Sequence, residues 1–486
     1  METLQARQMS LRSRVVSGVF WLGATKALGQ VISWGTTIYV ARLLSPDDYG
    51  LMGMAGAFLG FIVVMNELGL GSAIVQKKEL SEEELSNIGS VVILINAALY
   101  GVSFLSAPWI ARFFGEPRLT EVIRTLSLVL IFSGMGATSF HMLTRKIIFK
   151  KRSQAELIGN VSGAVSTLLF AVNGLGVWSL VYGNIVLELT KNLFFYIFSP
   201  WKPKLRLSLS KVKGVIHFGL KVAVARLLWY FYSNADFWIA GKLLGKTLLG
   251  YYAMAFQFAS VPNDKIVSFV TQVSLPALSQ VQGDLKLLKR YFLKIIRLIA
   301  FVTFPIFWGI FLVADDAIVL FLTEKWSPII LPLKILCVVS MFRALNAMNA
   351  PLVIAKGRPG ISVATNLLFA LTLPFAFFIG SFYGLEGFSY SWLAAFPALS
   401  LITTYVSLRA VELSLFDYFN ELKPILLATL FMVLGVILIQ KTLLSEFSRP
   451  ARFSATCLAG MGFYALYYFL FYRDMFSEAK AILVRS

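Results

Sequence analysis

Runs of about twenty apolar residues, the length that crosses the hydrocarbon core of a bilayer as a helix, recur along the whole chain. Fourteen can be drawn, at residues 16–40, 49–75, 87–107, 120–141, 155–172, 175–198, 215–240, 248–278, 293–314, 328–354, 360–381, 385–408, 421–440 and 453–472. Lipid offers no partner to an unpaired backbone N–H or C=O, so each run must be an α-helix. A barrel would instead show short segments of alternating polarity. The expected fold class is an all-α polytopic membrane protein of about fourteen transmembrane helices. With 58% hydrophobic and 14% charged residues, and only short connections between runs, the 486 residues leave no room for a soluble domain. The first run is span-length and carries no convincing cleavage site, so it reads as a span rather than a signal peptide.

The spans repeat. Tyr39 to Met52 returns in altered form at Trp238 to Tyr252, with Leu43-Leu44 over Leu243-Leu244 and Gly50 over Gly250. Ile110 to Glu116 matches Ile318 to Glu324, and Gly174-Leu175 matches Gly384-Leu385, with Trp178 over Phe388 and Ser179 over Ser389. The matches keep their order while the offset drifts only from 200 to 210. A duplicated membrane bundle is the usual build of a transporter with a site between its repeats.

The net charge of +19 sits in particular loops. Arg145, Lys146, Lys150, Lys151 and Arg152 share one connection, and Lys202, Lys204, Arg206, Lys211 and Lys213 the next. With an even number of spans, this bias puts both termini inside the cell. The charge then means orientation and attraction to anionic lipid rather than binding of nucleic acid. Cys337 and Cys457 fall in apolar runs, so neither a disulfide framework nor a metal site is implied.

Tyr39-Val-Ala-Arg-Leu-Leu-Ser-Pro-Asp-Asp-Tyr-Gly-Leu51, followed by Glu67-Leu-Gly-Leu-Gly-Ser-Ala-Ile-Val-Gln-Lys77, resembles the Wzx-type polysaccharide exporters. It is most similar to the subgroup linked with colanic and teichuronic acid export. That subgroup belongs to the MOP superfamily, which also holds the lipid II flippase and the MATE multidrug exporters. The resemblance implies two pseudo-symmetric six-helix lobes around a central cavity, with two helices appended. On this chain that gives a basic cytoplasmic segment at 1–15, an N-lobe at 16–198 and a basic linker at 199–214. A C-lobe at 215–410 and a final pair of spans with a tail at 411–486 follow. It also implies a cargo: an oligosaccharide on a polyprenyl diphosphate, flipped from the cytoplasmic to the outer leaflet of the inner (plasma) membrane. Membrane lipids and polysaccharide polymerase machinery are the partners that go with such a role.

A charge near the bilayer centre costs at least about 2.5–3.5 kcal/mol, so intramembrane charges are the functional candidates. Lys26 and Arg226 stand 200 residues apart, the same offset as the repeat markers beside them. Each continues as a polar stripe at helical spacing, Lys26 with Gln30, Ser33 and Thr37, Arg226 with Tyr230, Ser233 and Asn234. These stripes are expected to line a wet cavity, where lysine acts as a point charge on a diphosphate and arginine binds it bidentately. The bland alternative is that each cation pairs with an acid, Lys26 with Glu67 or Arg226 with Asp236. Trp34, Trp229 and Tyr230 could stack on sugar rings. Arg343, followed by Asn346 and Asn349, forms a further polar face. Pro262-Asn263-Asp264-Lys265 reads as a kink with adjacent opposite charges, and Glu67, Asp236, Asp264 and Lys265 are the candidates for coupling or salt bridging. Glu188 and Lys191 should neutralise each other. Lys221 and Lys334, near span ends, should snorkel to the interface. Ser45-Pro46-Asp47-Asp48 reads as a turn and helix cap.

Neither a catalytic residue, a metal ligand nor a cofactor is expected, and transport would couple to the membrane potential, H+ or Na+. A MATE-like multidrug exporter is the alternative, although a cationic cavity suits anions better than cationic drugs. A membrane glycosyltransferase would need a sizeable acidic extramembrane loop, and a channel would need a selectivity filter.

Overall fold

The computed structural model describes residues 29–66, 74, 81–202, 230–231 and 233–472. The chain divides into two compact units at Gly250. The division falls inside the second repeat copy, so residues 230–250 pack with the first unit.

In the first unit, α1 covers residues 29–43. It is followed by α2 (Pro46–Asn66), α3 (Glu82–Phe114), α4 (Leu119–Leu126), α5 (Leu128–Arg145), α6 (Phe149–Val172), α7 (Val177–Phe198) and α8 (Ala235–Leu243). The helix α9 (Gly245–Pro262) begins in this unit. α7 packs on α5 and α6, α3 on α5, and α2 on α3, α4, α7 and α8. The turn read from Ser45-Pro46-Asp47-Asp48 is present. Ser45 N–H donates to Asp48 Oδ2 at 2.9 Å, and the Asp48 N–H donates back to Ser45 Oγ at 3.3 Å. The other oxygen of Asp48 accepts from Val177 N–H at 2.9 Å, so one buried carboxylate caps two helix starts. α3 opens on a reciprocal box between Ser81 and Glu84 and ends at Gly115 in the left-handed conformation, φ 74°.

Gly50 and Gly250 explain why their repeat marker recurs. A Cβ on Gly50 would overlap the carbonyl of Lys246, and one on Gly250 would overlap the carbonyl of Pro46. The two equivalent helix starts therefore cross backbone to backbone, which only glycine permits at both positions. Ion pairs flank the crossing: Lys246 Nζ lies 2.6 Å from Glu116 and 3.8 Å from Asp47, and Thr247 Oγ1 donates to Asp47 at 2.6 Å.

The second unit continues α9, passes a π turn at Asn263–Val267 and runs through α10 (Ser268–Gln280) and α11 (Leu285–Leu322). After a 3-10 turn at Glu324–Ile329 come α12 (Ile330–Asn346), α13 (Asn349–Ala355), α14 (Pro359–Ser381), α15 (Gly384–Ala410), α16 (Leu415–Thr442) and α17 (Arg449–Phe471). α12 packs on α11 and α15, α14 on α15, and α16 and α17 on α11 and on each other.

Prolines inside these helices free carbonyls one turn back, and neighbouring helices supply donors. Pro305 cannot donate to the Phe301 carbonyl, which instead accepts from Tyr464 Oη on α17 at 2.9 Å. Pro108 frees the Phe104 carbonyl, which Arg124 Nε reaches at 3.3 Å while its guanidinium lies 4.4 Å over the Phe104 ring.

Among the described residues, ten helical stretches are long and apolar enough to cross a membrane. They fall on the second to fifth and ninth to fourteenth runs of the sequence. The first and seventh runs lie partly outside the described residues. The sixth forms α7, which carries Asn184, Glu188, Lys191 and Asn192. The eighth is interrupted at Pro262, where the π turn begins.

Candidate functional site

Lys26, Glu67, Lys221 and Arg226 lie outside the described residues. Their described neighbours on the two stripes are mixed in exposure: Ser33 is exposed, and Thr37 and Ser233 are half-buried. Gln30 is half-buried on α1, while Tyr230 is buried and its hydroxyl donates to the Ala57 carbonyl on α2 at 2.8 Å. Asn234 is half-buried and donates to the Tyr230 carbonyl at 3.1 Å, and Asp236 is fully buried in the first turn of α8. In this part of the first unit polar groups serve helix packing as much as they line space.

Glu188 and Lys191 do pair with each other. Lys334 Nζ pairs with Asp315 on α11 at 2.5 Å and lies 5.5 Å from the Phe311 ring. Asp315 is exposed, so the pair sits at the surface of the bundle.

The second unit gathers the remaining candidates. Arg343 stands in the stretch Glu324–Ala355, twelve residues before its end. At 1.5 Å per residue that is about 18 Å from the end, too deep for the side chain to escape. Its guanidinium lies 5.0 Å over the Phe256 ring and 5.6 Å over the Trp392 ring. Trp392 is itself fixed: it is buried, and its Nε1 donates to Tyr252 Oη at 2.7 Å. Aromatic faces compensate part of the lost hydration of a cation, by about 2 kcal/mol or more when desolvated. They leave the guanidinium N–H groups uncommitted, and Arg343 forms no ion pair with the described residues. The Asp264 carboxylate is exposed at the π turn and within electrostatic reach of both Arg343 and Lys265.

The π turn places Asp264 and Lys265 beside α12, because Asn263 Nδ2 donates to the Ser340 carbonyl, at 3.3 Å and one turn before Arg343. Wide turns of this kind recur at functional positions in helices. One turn beyond Arg343, Asn346 Oδ1 accepts from Thr403 Oγ1 at 2.8 Å and from Asn349 Nδ2 at 2.9 Å. Asn349 Nδ2 also reaches Thr404 Oγ1 at 3.0 Å. This network holds the break between α12 and α13, where Pro351 leaves the Ala347 carbonyl without its helical partner. The result is a stacked guanidinium, a lysine, an acid and an amide–hydroxyl network on α9, the π turn, α12, α13 and α15. Such a site offers planar donors to an anion, while Asn349, Thr403 and Thr404 are buried and hold the half-buried Asn346 in place.

The polar members of this cluster were visible in the sequence as breaks in apolar runs. Phe256, Trp392, Tyr252, Thr403 and Thr404 were not, since an aromatic or a threonine in a membrane helix is unremarkable by itself.

A sequence profile of the polysaccharide biosynthesis protein family matches residues 39–331, more than half of the chain. The chain is 26% identical over 425 residues to the lipopolysaccharide biosynthesis protein WzxC of Escherichia coli (strain K12), covering 86% of this chain and 83% of that protein. It is 24% identical over 489 residues to the teichuronic acid biosynthesis protein TuaB of Bacillus subtilis (strain 168), covering 98% and 99%. Among solved structures, the inward closed lipid II flippase MurJ aligns with a TM-score of 0.75 at 17% identity, over 94% of this chain and 99% of its own. An inward-facing multidrug resistance MATE transporter of the MOP superfamily aligns with a TM-score of 0.64 at 15% identity, over 79% and 94%. These likenesses establish the fold: a multi-pass, all-helical membrane protein of the MurJ and MATE type. The match to the profile, the full-length relatives and the helical bundle agree, and the chain belongs to the polysaccharide biosynthesis protein family.

Proposed function

We propose that this protein is a flippase for an anionic lipid-linked oligosaccharide, and not an enzyme. The observation that carries the reading is Arg343: a cation deep in a membrane-spanning stretch, held by two aromatic rings and unpaired among the described residues. An arginine kept only for structure would normally be neutralised by a carboxylate, as Arg452 is by Asp316 at 2.7 Å. The names of the relatives agree with such a cargo, since they include the succinoglycan biosynthesis transport protein ExoT of Rhizobium meliloti (strain 1021), 24% identical over 313 residues.

In this reading both termini face the cytoplasm and the fourteen spans lie in the inner membrane. The diphosphate of a polyprenyl-linked glycan enters from the cytoplasmic leaflet. Lys26, Arg226 and Arg343 are the cations proposed to bind it, the first two at equivalent places in the two repeat copies. The half-buried Asn346 amide, held by the buried Asn349 and Thr403, offers the glycan a hydrogen-bonding group. Alternating access then exposes the cargo outside, where polysaccharide polymerase machinery receives it. Moving one charge across 100 mV is worth about 2.3 kcal/mol, so two negative charges leaving a negative interior gain about 4.6 kcal/mol. The membrane potential can therefore drive export without a cofactor, and exchange of H+ or Na+ through Asp264 or Glu67 is an optional addition. A MATE-like exporter of cationic drugs would need an acid-rich site, and the unpaired arginine opposes it.

The test is flipping of a fluorescent polyprenyl-diphosphate oligosaccharide in proteoliposomes, comparing wild type with Lys26→Ala, Arg226→Ala and Arg343→Gln at matched protein levels. Loss in each variant is expected. Full activity in all three would overturn the cationic-site mechanism, and no flipping by the wild type would overturn the function.

A further inference from the structure

A groove of about 960 Å³ runs between α11, α16 and α17, away from the Arg343 cluster. Ligand sites typically enclose about 300–1,000 Å³, so this one is at the large end. Its walls are apolar, with Leu298, Ile306 and Met461 exposed. Its floor is kept open by small residues. A Cβ on Gly309 would meet nothing within 4 Å, and one on Gly460 would meet only Val436 and Met432, at 3.8 and 4.0 Å. Pro305 and Tyr464 also line it, and the bond from Tyr464 to the freed Phe301 carbonyl holds α17 against α11 along the groove.

The two ends differ in charge. Near Thr456 the cation is already neutralised, because Arg452 forks onto Asp316 with both of its nitrogens. At the other end stand Lys294 and Arg297. Arg297 pairs with Glu421 at 3.0 Å, whereas Lys294 is exposed and has no ion pair among the described residues. Lys286, Lys289 and Arg290 precede them on the first turns of α11, with no acid in that first turn. An apolar trough that opens onto unmatched positive charge at one end is complementary to an amphiphile with one anionic head.

We propose that this groove binds an anionic glycerophospholipid, with its acyl chains against α11 and α17 and its phosphate on Lys294. A zwitterionic lipid would fill the trough but gain less from Lys294. A lipid-linked glycan would need hydrogen-bonding walls beyond its phosphates, and the hydroxyl of Tyr464 is already engaged. The assignment does not depend on what the protein transports.

Native mass spectrometry of the full-length detergent-solubilised protein tests it by titration with dioleoyl phosphatidylglycerol, dioleoyl phosphatidylcholine and a polyprenyl phosphate. One phosphatidylglycerol should bind about tenfold more tightly than phosphatidylcholine, as expected for one or two basic residues worth about fivefold each. Lys294→Ala should weaken it about fivefold by the same measure, and Gly460→Leu should block it by filling the trough. Lys294 is exposed, so its variant reports on binding even if the leucine variant misfolds. Equal affinity for the two phospholipids would make the groove an ordinary belt site and overturn the proposal. So would wild-type binding by Lys294→Ala, or displacement of phosphatidylglycerol by equimolar polyprenyl phosphate, which would assign the groove to an isoprenoid chain.

Discussion

Arg343 was legible in the sequence as a charge inside an apolar run, but its role depends on what surrounds it. Stacking on Phe256 and Trp392 stabilises the cation without consuming its donors. Activity and stability should therefore separate. Arg343→Gln is expected to lower flipping at least about tenfold, the loss of one charge-assisted contact of roughly 1.5–3 kcal/mol, while leaving the melting temperature near that of wild type. Arg343→Lys keeps the charge but not the planar fork, and its rate should fall between the two. Trp392→Ala should do the reverse at first sight. It deletes a buried ring and the bond to Tyr252, costing about 3–5 kcal/mol of stability, and a detergent melting curve measures the loss directly. If Arg343→Gln melted as early as Trp392→Ala while flipping normally per folded molecule, the arginine would be a structural residue. Tyr230 teaches the converse lesson: its place on a polar stripe suggested a cavity wall, yet its hydroxyl bonds the Ala57 carbonyl in a buried contact. Residue type and spacing give the face of a helix, not what that face meets.

Among the described residues helix existence was readable from hydropathy, whereas helix irregularity was readable only where proline marks it. Pro262 announced a break, and the structure answers with a π turn that keeps the helix running and brings Asn263 onto the Ser340 carbonyl of α12. Nothing in the local sequence separates a wide turn from a kink, because the choice depends on the Ser340 carbonyl that Asn263 reaches. Pro305 gives a quantitative test at this scale. In the wild type, Tyr464→Phe leaves the Phe301 carbonyl without a donor and should cost about 1 kcal/mol. In a Pro305→Ala background the restored N–H takes that carbonyl, and the same tyrosine change should cost a few tenths. A double-mutant cycle of melting free energies should therefore give a coupling near 1 kcal/mol. A coupling of zero would mean that Tyr464 is held by packing against Phe301 and Tyr468 rather than by its hydroxyl.

The duplicated build is an expectation read from repeated markers, and the Gly50 and Gly250 pair among them serves a helix crossing. Gly50 and Gly250 recur because each passes over the other repeat's backbone, so Gly50→Leu or Gly250→Leu should abolish the folded, monodisperse protein seen by size-exclusion chromatography. The ion pair beside them is softer. Lys246→Glu should cost about 1 kcal/mol or somewhat more, since Glu116 is largely buried, and adding Glu116→Lys should recover only part of it because Asp47 remains 3.8 Å away. Recovery to full wild-type stability would show that Asp47 does not sense the charge at position 246. The sequence alone determined that the chain is a bundle of membrane helices and which family it resembles, and it carries the repeated markers from which a duplication is read. Each of these follows from patterns held within one helix or repeated along the chain. Only the tertiary structure decided which charges are neutralised and which stay available: Lys334 finds Asp315, Arg452 finds Asp316, and Arg343 finds two aromatic faces. That outcome depends on how far each helix is rotated about its own axis against neighbours distant in sequence, and the hydropathy of a single span does not encode that rotation.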